Sequence, residues 1–226
     1  MSAFSRRVRA IVAKDLRIEL RSREVIYTSV LFSIVLVTLF LFSGFSERAV
    51  AREAGPGVLW TSLAFVGTLI FSRTFQRERE ERAVAGLLMV PGILDALFVS
   101  KLIVNLALLL VVEAVLVPAV AVSFHMALMP VLPSFLGVLA LATLGYATLG
   151  TVLAATLATV RLREVILPLV LYPLCLPMLL SGVQATSGLL AGEAIGGWVR
   201  ILAIFAILFL VLSRWLFGEA LDPRHA

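Results

Sequence analysis

The chain has 226 residues, of which 61% are hydrophobic and 15% charged, with a net charge of +5 and a mean hydropathy of +1.08. That balance excludes a soluble domain built around one core and describes an integral membrane protein. At about 20 mostly apolar residues per span there is room for about six spans with short connections, so one membrane domain takes up residues 1–226.

Residues 1–24 hold Arg6, Arg7, Arg9, Lys14, Arg17, Arg21 and Arg23. Helical spacing puts Phe4, Val8, Ile11 and Ile18 on one face, with Asp15 intruding on it, which predicts a basic interfacial helix on the cytoplasmic leaflet. The competing reading is a solvated charged tail that only obeys the positive-inside rule. The uncharged run that follows is too long for a signal peptide's apolar region, so the first span is expected to stay.

The first span is expected over 25–45 and the second within 54–72, with Trp60 near its outer end at a level where indoles prefer the interface. The third runs over 102–124. The fourth, 136–159, carries two rows of small residues at every fourth position: Gly150, Ala154 and Ala158 beside Ala147, Thr151, Ala155 and Thr159. Close helix approach is expected there. Residues 165–192 are uncharged and interrupted by Pro168, Pro173 and Pro177. They read as a broken fifth span followed by a short re-entrant or surface piece. The sixth span, 194–217, carries Arg200 and Arg214, each able to snorkel to its own interface.

Of the 19 lysines and arginines, this layout places 16 inside and only Arg48, Arg52 and Arg200 outside. Both termini are therefore expected in the cytoplasm. The basic residues gather at span ends rather than on one soluble face, so the positive charge is not a nucleic-acid signal.

Residues 73–101 form the one long polar interruption. Arg77 with Glu81 and Glu78 with Arg82 are opposite charges four apart, as on an exposed helix. Pro91 and Gly92 stop it. A short helix then restarts over 96–101, behind Asp95 as a candidate N-cap, and runs into the next hydrophobic run.

No catalytic constellation is present. A GxxxxGK phosphate loop is lacking, so the chain is not expected to cradle ATP itself. His125 and His225 have no metal-ligand spacing, and the lone Cys175 has no disulfide partner. His125, at the outer end of the third span, reads either as an interfacial residue or as a haem-iron ligand. Glu113 lies about 16 Å below the start of the third span. It is either a functional intramembrane carboxylate or a protonated acid bonded to a neighbouring helix. Asn105, two turns earlier on the same face, is its candidate polar neighbour.

Glu78, Arg79, Glu80, Leu87, Leu88, Pro91 and Lys101 resemble the cytoplasmic loop of ABC-2 type exporter permeases. Arg73, Phe75, Gly86, Ala96, Phe98, Asn105, Leu106, Glu113 and Pro118 extend the similarity to the haem exporter permeases of the cytochrome c maturation system, its B component. Pro56, Gly57, Leu59, Trp60, Leu167, Pro168, Leu169 and Pro177 carry it over most of the chain. The sequence departs from the pattern at Ile93, Leu94 and Ser100, which make the second half of the loop less polar.

The resemblance implies an all-α, six-span ABC-2 exporter fold with a cytoplasmic coupling loop at 73–101, in the bacterial inner membrane. It implies ATPase-coupling roles for Arg77, Glu78, Arg79, Glu80, Gly86, Leu87, Leu88, Pro91 and Lys101. The implied partners are a separate ABC ATPase, the haem-handling membrane components C and D, the periplasmic haem chaperone E and a second copy of the chain. Haem would be the cargo, ATP would sit on the partner, and the chain itself would hold no cofactor or metal. Two alternatives stay open: an ABC-2 exporter of lipid, drug or polysaccharide, and a non-transporting scaffold that recruits an ATPase.

Overall fold

The computed structural model describes residues 3–43, 48–75, 93–158, 160 and 162–220. Among these, seven α-helices follow one another: α1 (Ala3–Ser22), α2 (Glu24–Phe42), α3 (Arg48–Arg73), α4 (Ile93–Ser123), α5 (Leu132–Thr156), α6 (Arg163–Ala191) and α7 (Gly196–Ala220), with a 3₁₀ turn at Met129–Val131 before α5. Six of the helices, α2 to α7, are long and apolar enough to cross a membrane. The all-α, six-span class expected from the sequence is the observed one.

The two rows of small residues explain why α5 sits in the middle. Ala147, Thr151, Ala154, Ala155 and Ala158 are all buried, and Gly150 lies directly under the Phe71 ring of α3. Any side chain at Gly150 would meet that ring, so the row lets α3 and α5 approach closely. By contrast α2 buries only Ser29, Ser33 and Val37, one residue per turn. Leu31, Ile34 and Leu39 of α2 and Ile204, Ile207 and Val211 of α7 are exposed aliphatic side chains. Lipid suits them and water does not.

Three expectations are corrected. Residues 165–192 do not contain a broken span and a re-entrant piece: α6 is one helix from Arg163 to Ala191 with Pro168, Pro173 and Pro177 inside it. At 1.5 Å per residue it is about 44 Å long, more than a bilayer core requires. The small residues read as a surface piece, Ser181, Gly182, Ala185, Thr186 and Gly188, are its buried stripe.

Trp60 does not face the lipid interface. It is fully buried, its indole N–H donates to Thr186 Oγ1 at 3.0 Å, and a Cβ on Gly182 would come within 2.6 Å of its ring. The glycine is there because the indole needs the space.

The third span, finally, does not begin at Leu102. Helix α4 runs unbroken from Ile93, so Asp95 lies in its first turn rather than at its cap, and Lys101 lies inside it.

Helix ends are closed by backbone bonding. His125 adopts a left-handed backbone (φ 53°), with its N–H on Val122 O and the N–H of Met126 on Ala121 O. This is a Schellman end in which histidine takes the place usually held by glycine.

Candidate functional site

The residues that connect the spans to the 76–92 stretch are built from three helices. Helix α1 presents Val8, Ile11, Val12, Asp15 and Leu16 inward, all partly buried, and leaves Arg6, Arg9, Arg17 and Arg21 exposed. Its Asp15, read from the sequence as an intrusion on an apolar face, is what fixes it to α4. Lys101 Nζ donates to Asp15 Oδ2 at 2.9 Å, with the two side chains only 5% and 12% exposed. One residue earlier the Ser100 hydroxyl reaches the Val8 carbonyl at 3.3 Å.

The same ammonium lies 5.4 Å from the Phe75 ring centroid, within range of a cation–π attraction. Phe75 is the last described residue before position 76, and Ile93 resumes the chain at the start of α4. The described residues on either side of positions 76–92 are therefore buried, Phe75 beside Lys101 and Ile93, Ala96, Leu97 and Phe98 in the first turns of α4.

Below Lys101 a polar seam continues between α3, α4 and α5. Asn105 Nδ2 donates to Thr151 Oγ1 at 2.9 Å, and Thr74 Oγ1 donates to Asn105 Oδ1 at 3.1 Å, so one amide ties α4 to α5 and to the turn that follows α3. About 18 Å from Lys101 along α4, Glu113 accepts a 2.5 Å hydrogen bond from Thr143 Oγ1 on α5. Its Oε2 is buried without a partner. Asn105 and Glu113 share a helix face but engage different threonines.

At the neighbouring corner, Arg23 has a left-handed backbone (φ 54°) that turns α1 into α2. Glu19 Oε1 accepts from the N–H groups of Val25 (3.0 Å) and Ile26 (3.2 Å), so a side chain of α1 caps α2 across the bend. The Tyr27 hydroxyl beside Arg23 raises that guanidinium further above its ordinary value. Arg73 Nη1 reaches Glu24 Oε1 at 2.7 Å and joins the end of α3 to the start of α2.

A protein-family model described as CcmB protein matches residues 6–223. The chain belongs to the CcmB protein family. Membership makes it a membrane component of a haem-export ABC system, a permease part that is not itself catalytic, and its six spans make it a multi-pass membrane protein. A search among curated proteins finds no match.

Of the site residues expected in this CcmB-family chain, Lys101, Asn105 and Glu113 fall within the described helices. Arg77, Glu78, Arg79, Glu80, Gly86, Leu87, Leu88 and Pro91 lie outside the described residues. The sequence reading missed Asp15, Glu19 and Thr143 as partners. For Asp15 the signal was present: a carboxylate on the apolar face of an amphipathic helix needs a cation opposite it.

Proposed function

We propose that the chain is the permease part of an inner-membrane ABC transporter that exports haem, or delivers it to a periplasmic haem chaperone, during cytochrome c biogenesis. A separate ATPase docks on residues 76–92, with Glu78, Arg79 and Glu80 as charged contacts and Leu87 and Leu88 as apolar ones. The haem-handling components C and D and chaperone E complete the system, and two copies of the chain pair so that two loops meet two ATPases. Haem is cargo, and ATP is bound by the partner.

The observation that carries this reading is the anchoring of the residues that flank positions 76–92: Phe75 lies under Lys101, and Ile93, Ala96, Leu97 and Phe98 are buried at the start of α4. A docking element must be stiffly joined to the spans it moves, and here the cation buried between Asp15 and Phe75 makes the joint. Closure of the ATPase would push on α4 directly and on α1 through Asp15. Glu113 and Asn105 lie further along the same helix, where that movement would alter their threonine contacts.

Haem staining of c-type cytochromes in a strain lacking this chain tests the cargo. Loss of staining that returns with the wild-type copy is expected, and unchanged staining without a redundant maturation route would remove haem from the proposal. Inactivating the ATP site of the partner separates transport from scaffolding, since a scaffold would keep working.

A further inference from the structure

Between α2 and α3, at their cytoplasmic ends, lies a cavity of about 40 Å³ lined by Glu24, Val25, Thr28, Ser29, Leu69 and Arg73. Ser29 is 1% exposed, and its hydroxyl has no hydrogen-bond partner. Buried hydroxyls are normally satisfied, and one turn later Ser33 is, through the Ser29 carbonyl at 2.7 Å. Ser29 lines the cavity with its hydroxyl unpaired. Arg73 stands at the same wall with a side chain 46% exposed. A guanidinium carries five N–H donors, and Glu24 accepts from one of the two on Nη1.

The depth of this corner is set by the spans. Glu24 opens α2 and Arg73 closes α3, so both lie at the headgroup level of the cytoplasmic leaflet. Next to it α1 carries six cations against two carboxylates, with Arg6, Arg9, Arg17 and Arg21 exposed. Leu20 and Tyr27, on either side of the bend, are 65% and 61% exposed, as suits immersion among headgroups.

We propose that this corner binds one anionic phospholipid of the cytoplasmic leaflet, its phosphate on Arg73 and Ser29 and its acyl chains along Val25 and Leu69. A cavity of this size admits a phosphate oxygen but not a whole headgroup, so the glycerol and chains lie outside it. The Glu24 carboxylate beside Arg73 repels a freely diffusing anion, and the acyl chains are what hold the phosphate there against it. The basic face of α1 raises the local concentration of anionic lipid around the site.

Native mass spectrometry of the full chain released from nanodiscs of mixed phosphatidylglycerol and phosphatidylcholine tests this. One phosphatidylglycerol per chain is expected to survive release, with no matching phosphatidylcholine. Ser29→Ala together with Arg73→Gln should weaken retention about tenfold, as for loss of one charge-assisted hydrogen bond. Ser29→Ala alone, which leaves the Glu24–Arg73 pair intact, should weaken it less but measurably. Arg6→Gln with Arg9→Gln should retain the lipid. Equal retention of both lipids, unchanged retention in the Ser29 and Arg73 variants, or loss in the Arg6 and Arg9 variant would overturn the site. Displacement of the lipid by inorganic phosphate alone would assign the corner to a soluble anion and overturn the lipid.

Discussion

Lys101 and Asp15 stand 86 positions apart in sequence and 2.9 Å apart in space, and the lysine is buried at a point where the sequence suggests a loop end. The pair joins α1 to a membrane span. Taking the carboxylate away from a buried ammonium costs about 3–5 kcal/mol, whereas replacing both by apolar residues is often close to neutral. Asp15→Leu should therefore lower the thermal unfolding temperature of the detergent-purified chain markedly, and adding Lys101→Met should restore most of it. If the double variant is no more stable than the single, the pair is not what holds α1.

Gly150 under the Phe71 ring gives a second expectation. Gly150→Val overpacks the α3–α5 contact and should cost about 1–3 kcal/mol, visible as reduced yield of folded chain. Phe71→Ala opens the space and should offset part of the loss when combined with it, a coupling that a double-mutant cycle reads directly.

Thr143→Val removes the donor to Glu113 and leaves both carboxyl oxygens of a buried side chain without a partner. The expected loss is about 1–3 kcal/mol. Glu113→Leu in the Thr143→Val background should recover it, since the polar pair is then replaced as a unit. Haem staining with that double variant would show whether the carboxyl does more than hold α4 to α5; a folded double variant with normal staining would assign Glu113 to structure alone.

Trp60 and Trp198 should respond differently to brominated lipid. Trp198 is 39% exposed and Trp60 is 0% exposed, so in a Trp215→Phe background Trp198→Phe should remove most of the quenching and Trp60→Phe little. Trp60→Phe should instead cost about 1 kcal/mol through the lost hydrogen bond to Thr186.

The spans were legible because they rest on averages over many residues. The apolar length and the two rows around Gly150 and Ala147 each repeat their signal. What could not be read were pairings. Nothing local to Lys101 or Asp15 names the other, and Glu113 could not be assigned to Thr143 rather than Asn105 without knowing how α4 and α5 face each other. The three prolines of α6 misled for a physical reason: proline breaks helices in water, but where no water can take up the freed backbone groups the chain keeps its helix around them. The glycines and small polar residues after Pro177 then look like a loop, although they are small because Trp60 is large.

The Glu19 cap has a mechanical consequence. Because one carboxylate of α1 satisfies the first amides of α2, and Asp15 one turn earlier grips α4, α1 works as a yoke across two spans that are not neighbours in sequence. A thrust that tilts α4 must either carry α2 with it or strip a cap and bury two bare amides. The first and third spans are therefore tied as a pair through α1.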